Sequence, residues 1–202
     1  INVTSFFRDP RVFEALRQQA IPLLLEGKTR NDEIRVWVPG CSTGQEAYTV
    51  AMIIADEMHR MDLKLQLSVF GTDIDEEALA AARRGHYPNS IANEVPHEYL
   101  DRYFIPTRNG FEVRADLRDM VRFSSQSLIK DPPFSKLDLI TCRNLLIYFN
   151  HDLQDLAHRV FHYALRPGGY LLLGPSETAR TEGELFVEVA QEHRLYRRNA
   201  AR

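Results

Sequence analysis

Two cysteines in 202 residues are too few for a disulfide framework. Cys41 and Cys142 each follow an apolar run and read as free thiols of a reducing cytoplasm. No His stands near Cys41 in sequence, so a nucleophilic cysteine is not expected. Apolar runs stop well short of the ~20 residues a membrane span needs. No signal-peptide pattern opens the chain, and direct membrane insertion is not expected. Charge of one sign is also missing: 25 Lys and Arg against 28 Asp and Glu leave −3. That balance gives no general attraction for nucleic acid. His158 and His162 share a helix face but lack a third ligand, so no metal site is expected. There is no internal repeat and no low-complexity tract.

What is present is a core, since 44% of the residues are hydrophobic, enough for one domain of this length. The chain is organised around residues 34–54, IRVWVPGCSTGQEAYTVAMII. Ile34, Val36, Trp37 and Val38 form a nearly unbroken β-branched and aromatic run, as in a central strand of a parallel sheet. Pro39-Gly40 ends it. Ala47, Val50, Ala51 and Ile54 then recur at helical spacing. A glycine turn outside the carboxyl end of a strand is where open α/β sheets bind nucleotides. By itself it serves equally as a tight connection. It is not a phosphate loop, because Gln45-Glu46 follows Gly44 where a P-loop carries Lys. An acid there suits a ligand with hydroxyls or positive charge. Asp73 ends a second apolar run, about 30 residues beyond Gly40, where ~20 is usual for an acid that binds a ribose. Asp75 is placed to cap the helix EEALAAARR.

Earlier in the chain, Phe6-Phe7 reads as an anchor for Arg8, and Asp9-Pro10 as the start of an amphipathic helix marked by Val12, Leu16 and Ile21. Residues 86–118 break the strand–helix rhythm. A short helix over 97–103 and a hairpin at Asn109-Gly110 are predicted there. Such an insertion is either a partner-binding device or an edge embellishment. Strands are expected over 120–123, 137–142 and 170–173, with a helix over 152–165 stopped by Arg166-Pro167-Gly168-Gly169. Polar Arg143-Asn144 directly after a strand are site candidates. Residues 145–149 are apolar and expected to pack. A strand pair or a helix–strand pair closes the chain. The alternation predicts an α/β fold, a parallel sheet with helices on both faces.

In order and spacing, NVTSFFRDP, VWVPGCSTGQEAYTVAM, FGTDIDEEAL, LDLITCRNLLIYF and LRPGGYLLLGPSE resemble the CheR-type chemotaxis receptor methyltransferases, over nearly the whole chain. The resemblance implies a Rossmann-like class I methyltransferase domain over residues 1–202, dependent on S-adenosyl-L-methionine (SAM). It implies a small inserted antiparallel β-subdomain at 86–118. The family's helical N-terminal domain is expected to be absent from this stretch. Ile1 stands where a Met would begin a chain, which reads as a piece of a longer protein, either a free enzyme or a fusion with a methylesterase.

The implied activity is esterification of glutamate side chains on the cytoplasmic methylation helices of bacterial chemoreceptors, leaving S-adenosyl-L-homocysteine. Asn2, Thr4 and Arg8 match the family's N-x-T-x-x-x-R site segment. With Gly40, Glu46, Asp73, Ser127, Leu128, Arg143 and Asn144 they form the implied cofactor site. Glu46 would meet the cofactor's amino group and Asp73 its ribose. Ser127 stands where the family often has Asn, which leaves a backbone hydrogen bond to adenine. Arg8 would also hold the acceptor carboxylate, and Tyr148 matches the tyrosine near the transferred methyl. The turn at 107–110 is too short for the glycine-rich loop that docks a receptor pentapeptide in some members, so no such tethering is expected. The alternatives are a SAM-binding regulatory module without turnover and a methyltransferase for another substrate. GCSTGQE lacks the G-x-G-x-x-G spacing of nicotinamide enzymes.

Overall fold

The computed structural model describes residues 4–179 and 185–200. The chain opens with α1 (Pro10–Gln19) and α2 (Ile21–Leu25). It then alternates through β1 (Glu33–Pro39), α3 (Gln45–Arg60), β2 (Gln66–Asp73) and α4 (Glu76–Arg84). The insertion follows as β3 (His86–Pro88), α5 (His97–Tyr103), β4 (Phe104–Thr107) and β5 (Gly110–Val113). After α6 (Ala115–Arg118) come β6 (Val121–Ser125), β7 (Leu137–Cys142), α7 (His151–Ala164) and β8 (Leu165–Leu173). β9 (Phe186–Ala190) and β10 (Leu195–Arg198) close the fold.

The main sheet has the order β6-β2-β1-β7-β8-β10-β9. β6, β2, β1, β7 and β8 pair in parallel, and β10 runs antiparallel to both β8 and β9. Chain order reverses between β1 and β7, so the crevice beyond their carboxyl ends is the topological switch point. Strand alternation sorts side chains onto two faces. Ile34, Val36 and Val38 join Leu139, Tyr170 and Leu172 in the core under α1 and α3. Trp37 joins Ile140, Leu171 and Phe161 in the core under α7. Trp37 is fully buried, and its indole N–H donates to Thr72 Oγ1 at 2.9 Å. Truncating an aromatic so placed costs about 3–5 kcal/mol.

Several local expectations give way to tertiary structure. Asp9 sits at the start of α1 but makes no side-chain cap, because its carboxylate is drawn to Arg143. Arg166-Pro167-Gly168-Gly169 does not precede the last parallel strand but lies inside β8, where the pairing with β7 shifts register. Within residues 145–149, Leu146 is buried and Leu145 and Phe149 pack against the same core, while Ile147 and Tyr148 are exposed. His158 and His162 are buried, and no cluster fit to hold a metal exists among the described residues. As expected, Asp75 caps α4 by accepting from Glu77 N and Ala78 N, and Gly85 ends it. No helix among the described residues is long and apolar enough to cross a membrane.

Candidate functional site

The turn after β1 is shaped by steric exclusion. Gly44 has φ +95°, and a Cβ there would lie 2.9 Å from the Ala82 side chain. Only glycine lets α3 start this close to α4. Ser42 takes φ 51°, a left-handed conformation costing of order 1 kcal/mol or more for a non-glycine residue. It is held there by Asp73, whose Oδ2 accepts from Ser42 N at 2.8 Å while Oδ1 accepts from Asp75 N at 3.0 Å. The acid that ends β2 therefore organises the β1 turn as well as facing the crevice.

Arg8 is presented by a second strained turn. Phe7 (φ 49°) and Asp9 (φ 60°) flank it in left-handed conformations. The surroundings that over-determine this turn come largely from the insertion. Phe6 packs edge-on against Tyr87 and Phe104 at 4.8 and 5.6 Å, and Phe7 lies 5.4 Å from Tyr99. Glu94 Oε2 accepts from Phe6 N at 3.0 Å, and Thr49 Oγ1 from Phe7 N at 3.3 Å. Tyr87 also donates its hydroxyl to Thr43 O in the glycine turn at 2.7 Å. The insertion thus braces two walls of the crevice at once, a role its sequence did not disclose.

These turns enclose a cavity of about 690 Å³ at the switch point. Thr4, Arg8, Gly40, Glu46, Asp73, Ser127, Leu128, Arg143, Asn144 and Tyr148 all line it, which brings the expected site residues together. Asn2 lies outside the described residues. Ser5, Ile74, Gln126 and Ile129 also line it and were not singled out from sequence. Their signal was only adjacency to residues that were.

Two side chains are engaged differently from the expectation. Glu46 is largely buried. Its Oε1 accepts from Arg143 at 2.9 Å and its Oε2 from Thr141 at 3.3 Å. Burial pushes its pKa up, opposed by the guanidinium beside it. An incoming ammonium would meet a carboxylate already paired. Arg143 has no side-chain exposure. It spans Glu46 and Asp9, and sits 5.0 Å over the Phe13 ring. It fixes the floor of the cavity as a clamp and is not a free cation. Ser127 has its backbone N–H taken by Asp131 Oδ2 at 2.7 Å. Cys41 is buried, and burial and then Asp73 push its thiol pKa well above the usual range, which disfavours the thiolate.

Two buried polar atoms of the cavity wall, Ser42 Oγ and Arg143 Nε, have no hydrogen-bond partner among the described residues. An acid at the end of β2 and an apolar Leu128-Ile129 wall fit a ligand carrying hydroxyls and a flat ring. A doubly wound sheet with this site defines a class I SAM-dependent methyltransferase fold. Residues 2–195 match the family described as CheR methyltransferase, SAM binding domain, and the chain belongs to that family.

Over 196 residues the chain is 39% identical to an uncharacterized 104.1 kDa protein in the hypE 3′ region of Rhodobacter capsulatus, covering 97% of this chain and 21% of that one. It is 34% identical over 209 residues to the putative methyltransferase Cher3 of Pseudomonas putida, covering 98% and 74%. It is 36% identical over 184 residues to the chemotaxis protein methyltransferase of Borreliella burgdorferi, covering 89% and 65%. The chain thus spans a fifth of the first relative's length and just under two thirds of the third's.

Proposed function

We propose that this domain catalyses methyl transfer from SAM to glutamate side chains of chemoreceptors. The observation that carries this reading is the convergence of Arg8 and Tyr148 with Asp73 on one switch-point cavity. The name of the Borreliella relative supports the same substrate class. Bound SAM supplies an electrophilic methyl group on a sulfonium. Asp73 accepts from the ribose hydroxyls while it holds the Ser42 turn. Leu128 and Ile129 cover the adenine. Glu46 keeps its place in the proposed site as the paired acid at the cavity floor, offering the edge of a neutralised carboxylate. Thr4 and Asn144 offer polar contacts near the amino-acid tail.

An acceptor glutamate is already ionised near neutral pH, since its ordinary pKa is about 4.3, so no general base is needed. Arg8 orients that carboxylate through a two-pronged fork. Because charge is lost as the ester forms, pairing that is too tight would favour the ground state over the transition state. Tyr148, exposed at the mouth, orients the acceptor or shapes the methyl subsite. Catalysis is therefore positioning of two reactants. The acceptors are proposed to be cytoplasmic receptor helices, with no pentapeptide tether. The β4–β5 turn is only Arg108-Asn109, and measurable binding of a receptor C-terminal pentapeptide would overturn that part. The decisive assay presents radiolabelled SAM and a receptor methylation fragment. Base-labile methyl ester on the fragment is expected. SAM binding without ester on any glutamate-bearing helix would favour a regulatory module.

A further inference from the structure

Glu177 is a buried carboxylate with no part in the reaction just described. It follows β8 and is 4% exposed. Its oxygens accept four backbone N–H groups. Asn144 N and Gly174 N donate to Oε1, each at 2.8 Å, and Leu146 N and Ile147 N donate to Oε2 at 2.6 and 3.3 Å. No cation pairs with it among the described residues. Burying a carboxylate costs several kcal/mol unless its lone pairs find donors. Here three of the donors belong to one short segment, the link after β7 and the 3₁₀ turn Leu146–Tyr148 that it leads into.

That segment carries Asn144 and Tyr148 into the cavity, with Asn144 held at φ 61°. Its carbonyls are bound from the other side, since Gln154 Nε2 donates to Leu146 O and Phe149 O, both at 3.0 Å. Three N–H groups thus go to Glu177 and two carbonyls to Gln154, while Tyr148 N and Phe149 N donate to Leu145 O and Leu146 O within the turn itself, which fixes the backbone of so short an element. Gly174 makes the approach possible, because a Cβ there would lie 2.5 Å from Glu177 Oε1 and 2.9 Å from Asn144 N.

We propose that Glu177 is a positioning residue for methyl transfer, gathering the amides of residues 144–147 so that Asn144 and Tyr148 stand opposite Arg8. This rests on the methyl-transfer reading. In Glu177→Gln a side-chain NH₂ is turned onto backbone donors. At a temperature well below both melting transitions, kcat is expected to fall ten- to hundredfold. The Kd for S-adenosylhomocysteine should change less than threefold, and amide exchange over residues 143–149 should accelerate. A lowered Tm with unchanged kcat and unchanged exchange would overturn the proposal. Gly174→Ala keeps the charge but displaces the carboxylate, and must give the same signature; wild-type turnover there would also overturn it. If the wild-type chain binds S-adenosylhomocysteine yet forms no ester, the methyl-transfer reading fails, and the exchange arm still decides whether Glu177 holds the segment.

Discussion

Arg8→Ala should lose most ester formation while keeping S-adenosylhomocysteine binding within a few-fold of wild type. The guanidinium lines the cavity from a turn fixed by buried Phe6 and Phe7, while the β1 turn is held by Asp73 through its own contact with Ser42 N. A hydrogen bond to a charged group is worth about 1.5–3 kcal/mol, which corresponds to roughly 10- to 150-fold in rate. Arg8→Lys should recover only part of this, because an ammonium cannot make the paired contact with a carboxylate. Methyl-ester release and calorimetry separate the outcomes. Equal loss of rate and of binding would reassign Arg8 to the cofactor alone.

Asp73→Ala should weaken S-adenosylhomocysteine binding by about 100-fold or more, combining two losses. The ribose hydroxyls lose a charged acceptor, at about 1.5–3 kcal/mol for such a bond. The strained Ser42 turn also loses the carboxylate that accepts its N–H. Asp73→Asn keeps one acceptor oxygen and should fall between the two. Calorimetric affinity unchanged in Asp73→Ala would remove this residue from the site.

The β1–turn–α3 unit was legible because its side chains alternate between two cores and its glycines have no substitute at the turn. Cavity membership of Arg8, Asp73, Asn144 and Tyr148 followed from their positions at strand ends and in the family pattern. What stayed hidden were contacts between segments far apart in the chain. Nothing local to Asp9 shows that its carboxylate will leave the helix it precedes for Arg143, 134 residues away. Glu46 reads as an acid awaiting a cation, and only the fold reveals that Arg143 supplies one. Glu94 and Glu177 look like surface carboxylates in sequence, yet each accepts backbone N–H groups of a loop that forms the site. Tyr148 sits in an apolar run and would pack by pattern alone, but the Glu177 and Gln154 contacts hold its turn outward.

The most direct test is a crystal structure of this domain grown with S-adenosylhomocysteine. The account predicts the ribose on Asp73, the adenine against Leu128 and Ile129, and the sulfur facing the space between Arg8 and Tyr148. A switch-point cavity left empty at saturating ligand, or one that takes a phosphorylated nucleotide instead, would contradict it.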